Sequence, residues 1–159
     1  MDAFIDTLIE WLIEWGYVGM FLSSVLAGSI LPFSSEIVMA ALIGLGLSPT
    51  LCVAIATVGN TMGGMTCYYM GRLGRMDWIE KYLHIKQAKI ERMQRFLQGK
   101  GSLMAFFSFV PVVGGVIVIA LGFMRSNLLL TTLSMVVGKL LRYIAVVWAL
   151  QEAATMVNL

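Results

Sequence analysis

The stretch Leu31-Pro32-Phe33-Ser34-Ser35-Glu36 interrupts a long apolar region, and Gly59-Asn60 follows it inside the next apolar run. Val110-Pro111-Val112-Val113-Gly114-Gly115 repeats the interruption, and Gly138-Lys139 follows in the same way. In both cases 27 residues separate the proline from the glycine, and a shift of 79 also lays Ala41 on Ala120 and Leu42 on Leu121. Paired interruptions at matching places in two halves are the sequence pointer to a transport site at the bilayer midplane.

The surroundings of these breaks are those of a membrane protein. Of 159 residues, 59% are hydrophobic and only 13% charged, against about a quarter charged in a soluble domain. That length holds one membrane domain with about four to six embedded elements. Eight of the eleven Lys and Arg residues fall between Arg72 and Lys100, so the positive-inside rule places that stretch in the cytoplasm. Cys52 and Cys67 share one apolar run and read as small buried hydrophobes. No cleavable leader is expected, because no Lys or Arg precedes the first apolar stretch.

Along the chain, residues 2–15 carry Asp2, Asp6, Glu10 and Glu14 at a period of four. They read as an amphipathic helix, lying either in the interface or on the protein's own bundle. Residues 17–47 read as a first hairpin: two apolar pieces, each too short to cross, meet at Pro32 and Ser34-Ser35-Glu36. One long kinked helix is the alternative. A span over 50–71 follows, with Gly59, Gly63 and Gly64 spaced for close helix approach. The basic segment 72–100 alternates Ile90, Met93, Phe96 and Leu97 with Lys89, Arg92 and Arg95, either as a surface amphipathic helix or as a solvated connector. Residues 102–124 repeat the hairpin around Pro111, Gly114 and Gly115, and 126–150 form a second span. The expected fold is all-α, with two inverted units, each a re-entrant helical hairpin plus a transmembrane helix. Residues 48–49 and the C-terminus are then outside, and Arg125 inside.

Four side chains stand out by their cost at membrane depth. Glu36 is an acid in an apolar region, so it is protonated, paired or facing water. Its roles are proton exchange or structural pairing, and Ser34 and Ser35 suit a helix cap beside it. Lys139 and Arg142 share a helix face as i and i+3 in the second span. Either both hold an anionic ligand, or one pairs with Glu36 and the other reaches a loop carbonyl or the interface. Asn60 either cross-links helices or lines a cavity. His84 is the single histidine and lies in the basic segment, so no metal site and no cofactor is expected. Trp78, Tyr68, Tyr69 and Trp148 suit an aromatic belt. No nucleophile–base set, P-loop or dinucleotide fingerprint is readable, which argues against an enzyme.

These motifs resemble the DedA family, also called SNARE-associated or VTT-domain membrane proteins, from about Ser29 to Trp148. Pro32-Phe33-Ser34-Ser35-Glu36 resembles the family's Pro-rich turn ending in glutamate. Gly59-Asn60 with Tyr68-Tyr69-Met70-Gly71-Arg72 resembles its Gly-polar pair before Tyr-x-x-Gly-Arg. Phe109-Val110-Pro111 and Leu121-Gly122 resemble its Phe-x-Pro segment and small-residue-Gly pair. The run of Pro111-Val112-Val113-Gly114, Gly122-Phe123-Met124-Arg125 and Gly138-Lys139-Leu140-Leu141-Arg142-Tyr143 looks closest to the short YqaA subgroup. Larger members carry arginines where this chain has Ser108 and Gly114, and the short subgroup often has an acid at Gly115.

The resemblance implies paired re-entrant hairpins and lipid transport in the bacterial cytoplasmic (inner) membrane. The expected activity is movement of an anionic lipid or amphiphile, a polyprenyl phosphate or phospholipid, with proton coupling left open. An uncoupled scramblase and a structural or chaperone-like subunit are the alternatives. Membrane lipid is the expected partner, with self-association left open and nucleic acid excluded. The candidate site residues are Glu36, Lys139, Arg142, Asn60, Ser34 and Ser35.

Overall fold

The computed structural model describes residues 2–29, 34–74, 76–83, 85–98, 101–110 and 113–158. Pro32, Pro111, Arg75 and His84 lie outside them, as does the side chain of Trp78. The described residues are helical throughout: α1 (Asp2–Glu14), α2 (Tyr17–Gly28), α3 (Ser35–Gly44), α4 (Pro49–Arg72), α5 (Met76–Leu83), α6 (Gln87–Leu97), a 3-10 helix (Gly101–Phe109), α7 (Val113–Phe123) and α8 (Leu128–Val157).

Two of these helices are long and apolar enough to cross a membrane, α4 with 24 residues and α8 with 30. At 1.5 Å per residue they measure about 36 and about 45 Å, more than the ~30 Å hydrocarbon core. α4 opens on Ser48 with Pro49 in its first turn, where a missing N–H costs nothing. α8 opens on Asn127, whose side chain accepts from the Leu130 N–H at 3.0 Å. α8 continues seven residues past the expected end at 150. Gln151 and Glu152 are polar, but Ala153-Ala154 are strong helix formers and carry the helix on. The apolar helices α2, α3 and α7 have 12, 10 and 11 residues, about half a crossing each.

The shift of 79 reappears in the backbone. α3 ends at Gly44 and α7 at Phe123; α4 begins at Pro49 and α8 at Leu128. The intervening turns share one hydrogen-bond pattern. Leu45, Gly46 and Leu47 donate to the carbonyls of Ala41, Ile43 and Leu42, while Met124, Arg125 and Ser126 donate to those of Ala120, Gly122 and Leu121. This is a Schellman ending, which needs a left-handed residue just past the helix. Gly46 supplies it at φ 99, and Arg125 adopts it at φ 52 despite its side chain. An arginine there also meets the negative end of the α7 dipole.

α4 is the centre of the molecule. Its glycines admit neighbouring backbones: a Cβ on Gly63 would collide with the Val25 carbonyl of α2, and one on Gly71 with the Ile119 carbonyl of α7. Contacts between α4 and α8 run Met65 to Thr132, Asn60 to Lys139 and Asn60 to Tyr143, so the two long helices are antiparallel. Two apolar clusters flank this crossing. One joins the C-terminal half of α4 with α5, α6, α7 and Met135 of α8. The other joins the N-terminal half of α4 with α2, α3 and Tyr143 of α8. α1 rests on α2 and α3, with Leu12 buried, so it docks on the bundle.

Candidate functional site

The polar residues singled out in the sequence come from three elements and meet at the α4–α8 crossing. α3 brings Ser35 and Glu36 in its first turn, with Ser34 just before it; α4 brings Asn60; α8 brings Lys139 and Arg142. Tyr143 joins them, although nothing in the sequence marked it beyond its place beside Arg142. Two hydrogen-bonded chains result.

The first chain centres on an ion pair. The Arg142 guanidinium meets the Glu36 carboxylate, and its Nη1 also donates to the Phe109 carbonyl of the 3-10 helix at 3.0 Å. Ser34 Oγ donates to Glu36 Oε2 at 3.1 Å. Ser34 therefore occupies the N-cap position of α3 without capping it, because its hydroxyl is taken by the carboxylate. The pair is open to its surroundings, with 27% of the Arg142 side chain and 23% of the Glu36 side chain accessible. Arg142 looks into an apolar groove of about 480 Å³ between the 3-10 helix and α8, shared with Phe106, Phe109, Leu141, Val146 and Ala149.

The second chain is sealed. Asn60 Nδ2 donates to the Tyr143 hydroxyl at 2.9 Å, and that hydroxyl is also hydrogen-bonded to Ser35 Oγ at 2.7 Å. One hydroxyl thereby ties α3, α4 and α8 together, and Asn60 acts as a helix cross-link. Lys139 Nζ donates to the main-chain carbonyl of Asn60 at 2.7 Å and is only 2% exposed. Gly64 makes that possible, since a Cβ there would stand 2.8 Å from the ammonium. Of the two alternatives for the cations, this arrangement matches pairing: Arg142 takes Glu36 and Lys139 takes a carbonyl. The carbonyl belongs to a helix rather than a loop, which requires the glycine at position 64.

At the second break, Gly114 is buried and packs on the Ser108 carbonyl, and Gly115 is half-buried. A side chain at Gly114 would collide with that main chain. Among the described residues no group of three metal-ligating side chains gathers.

No model of a protein family matches the chain, and no solved structure does. Curated proteins do. Inner membrane protein YqaA of Escherichia coli is 32% identical over 128 residues, covering 80% of this chain and 85% of that protein. An uncharacterized protein of Haemophilus influenzae is 29% identical over 137 residues, covering 81% of this chain and 83% of its own length. Undecaprenyl phosphate transporter A of Bacillus subtilis is 30% identical over 137 residues, covering 81% of this chain and 67% of that protein. At these identities, over four fifths of its length, the chain belongs to the DedA family of membrane proteins.

Proposed function

We propose that this chain moves an anionic lipid or amphiphile across the bacterial inner membrane, with Arg142 holding the headgroup and the adjoining apolar groove holding the start of its tail. The observation that carries this reading is the Arg142 guanidinium at the wall of a groove otherwise lined by Phe106, Phe109, Leu141, Val146 and Ala149. A guanidinium binds phosphate in the same two-pronged way as carboxylate. A headgroup entering the groove competes with Glu36 for Arg142, and loss of that pair loosens α3 from α8. Lys139, sealed against Asn60, positions the α4–α8 crossing and stays out of direct headgroup contact. The name of the Bacillus subtilis relative, a transporter of undecaprenyl phosphate, supports the substrate class.

The same reading takes the two halves as an inverted repeat of hairpin plus span. Its support is the antiparallel α4–α8 crossing, the matched Schellman turns and the half-length apolar helices. The test is a flipping assay with purified protein in liposomes, using polyprenyl phosphate, phosphatidylglycerol and phosphatidylcholine. Arg142→Met is expected to abolish movement of the phosphate-bearing lipids, with the protein still eluting as a folded species. Undiminished movement removes Arg142 from the mechanism. Collapsing the proton gradient separates coupled transport, which slows, from scrambling, which does not. Glu36→Gln then removes the pH dependence only in the coupled case.

A further inference from the structure

We infer that α6 carries a binding site for the headgroups of anionic membrane lipids, separate from the Arg142 groove. Lys86, Lys89 and Arg92 recur every three residues, so they fall along one side of the helix and its N-cap. With Ala88 they line a shallow cleft of about 400 Å³. All three are exposed, and among the described residues none has an acid partner. The single acid of α6, Glu91, lies on the other flank, where Gln87 Nε2 donates to it at 2.9 Å. Glu80 of α5 accepts the Gln87 N–H at 3.2 Å, so it too is engaged away from the stripe.

Placement points to lipid as the occupant. Ile90, Met93 and Leu97 turn the adjoining face of α6 into the apolar cluster that contains α7 and the C-terminal half of α4. That contact fastens α6 at the end of a membrane-spanning helix, with its cations at the boundary between apolar core and water. Phe96 is 53% exposed on the same flank as Lys89 and Arg92, as an aromatic anchor at headgroup depth. The opposite end of the molecule has the reverse charge. α1 joins the other cluster and exposes Asp6, Glu10 and Glu14 with no basic residue. A basic end and an acidic end match a bilayer with one strongly anionic leaflet.

The experiment places a fluorophore at Ala88→Cys, since Cys52 and Cys67 are buried and escape labelling. The protein is reconstituted in phosphatidylcholine vesicles containing phosphatidylglycerol, with either lipid brominated in turn as the quencher. The wild-type stripe is expected to prefer the anionic lipid by about fivefold or more, the preference one cation contributes beside an anionic surface. Lys86→Gln/Lys89→Gln/Arg92→Gln is expected to bring the preference close to unity, while Glu91→Gln leaves it intact. Equal quenching by both lipids in the wild-type background overturns the proposal. So does a preference abolished by inorganic phosphate, which would assign the cleft to a soluble anion, or one regained only with an acidic protein bound. Because the readout is local quenching, a transport-inactive Arg142→Met background gives the same result if the site is as inferred.

Discussion

The Glu36–Arg142 pair makes a quantitative claim that a double-mutant cycle can test. A fully exposed ion pair contributes about 0–1 kcal/mol, whereas breaking a buried one costs about 3–5 kcal/mol. With 27% and 23% of the two side chains accessible, the pair falls between these limits, and a coupling of about 2 kcal/mol follows. Arg142→Met should cost most, because it strands the carboxylate with only Ser34 and also frees the Phe109 carbonyl. Glu36→Gln should cost less, since the guanidinium keeps that carbonyl. The double variant should be close to Arg142→Met alone, because the stranded charge is gone. For a chain of this length each kcal/mol moves the melting temperature by about 2–4 °C, so the coupling reads as about 4–8 °C. Cys52 and Cys67 are 0% and 1% exposed and form no disulfide, so a thiol-reactive dye in detergent reports unfolding directly. Melting shifts that simply add would refute the pairing as an energetic contact.

Two further outcomes follow from the geometry. Lys139→Met replaces a buried cation, hydrogen-bonded to a main-chain carbonyl already inside a helix, by an apolar chain of similar length. Stability is expected to hold or rise by about 1–2 kcal/mol in the same thiol assay, and a loss above that size would show the ammonium to be a structural requirement. Gly122→Ala drives a methyl into the Tyr68 carbonyl of α4, whereas Gly44→Ala meets open space. The first is expected to lower stability by about 1–3 kcal/mol and the second to leave it within about 0.5 kcal/mol; equal effects would mean α7 does not sit this close to α4.

The parts of this fold that follow from length and polarity were legible in the chain. A predominantly apolar run of 22 residues over 50–71, closed by Arg72, reads as a long helix, and α4 is that helix. The matched turns after α3 and α7 were not read from the chain: a glycine at 46 suits a left-handed residue, but its counterpart 79 positions later is Arg125, whose side chain does not announce one. The pairing of Glu36 was not decidable, because Lys139 and Arg142 share one face and either suits a carboxylate. What separates them is Gly64, which lets Lys139 turn toward the Asn60 carbonyl and leaves Arg142 for the acid. Tyr143 was missed because an amphipathic ring in an apolar helix has an ordinary explanation at every membrane interface. Its hydroxyl matters only through Ser35, 108 positions away. The 3-10 form of 101–109 has no counterpart in α2, and its apolar run gives no period that separates it from an α-helix.

The 79-residue correspondence also says where the structure can yield. It lays Ser35, Glu36, Arg142 and Tyr143 on Gly114, Gly115, Gly63 and Gly64. Asn60 and Lys139 fall on one another and are bonded, which marks that pair as the crossing point between the halves. α3 is therefore held to α8 by side-chain tips, through the ion pair and the shared hydroxyl. Its counterpart α7 is held to α4 by backbone against glycine, with Gly71 on the Ile119 carbonyl and Gly122 on the Tyr68 carbonyl. A phosphate headgroup can compete for a guanidinium, but no ligand replaces two helix backbones in van der Waals contact without separating the helices. Under the proposed transport cycle, α3 is thus the element a headgroup releases, and α7 with α4 is the frame it moves against. The same holds within the second unit, where a side chain at position 114 would meet the Ser108 main chain and wedge α7 from the 3-10 helix.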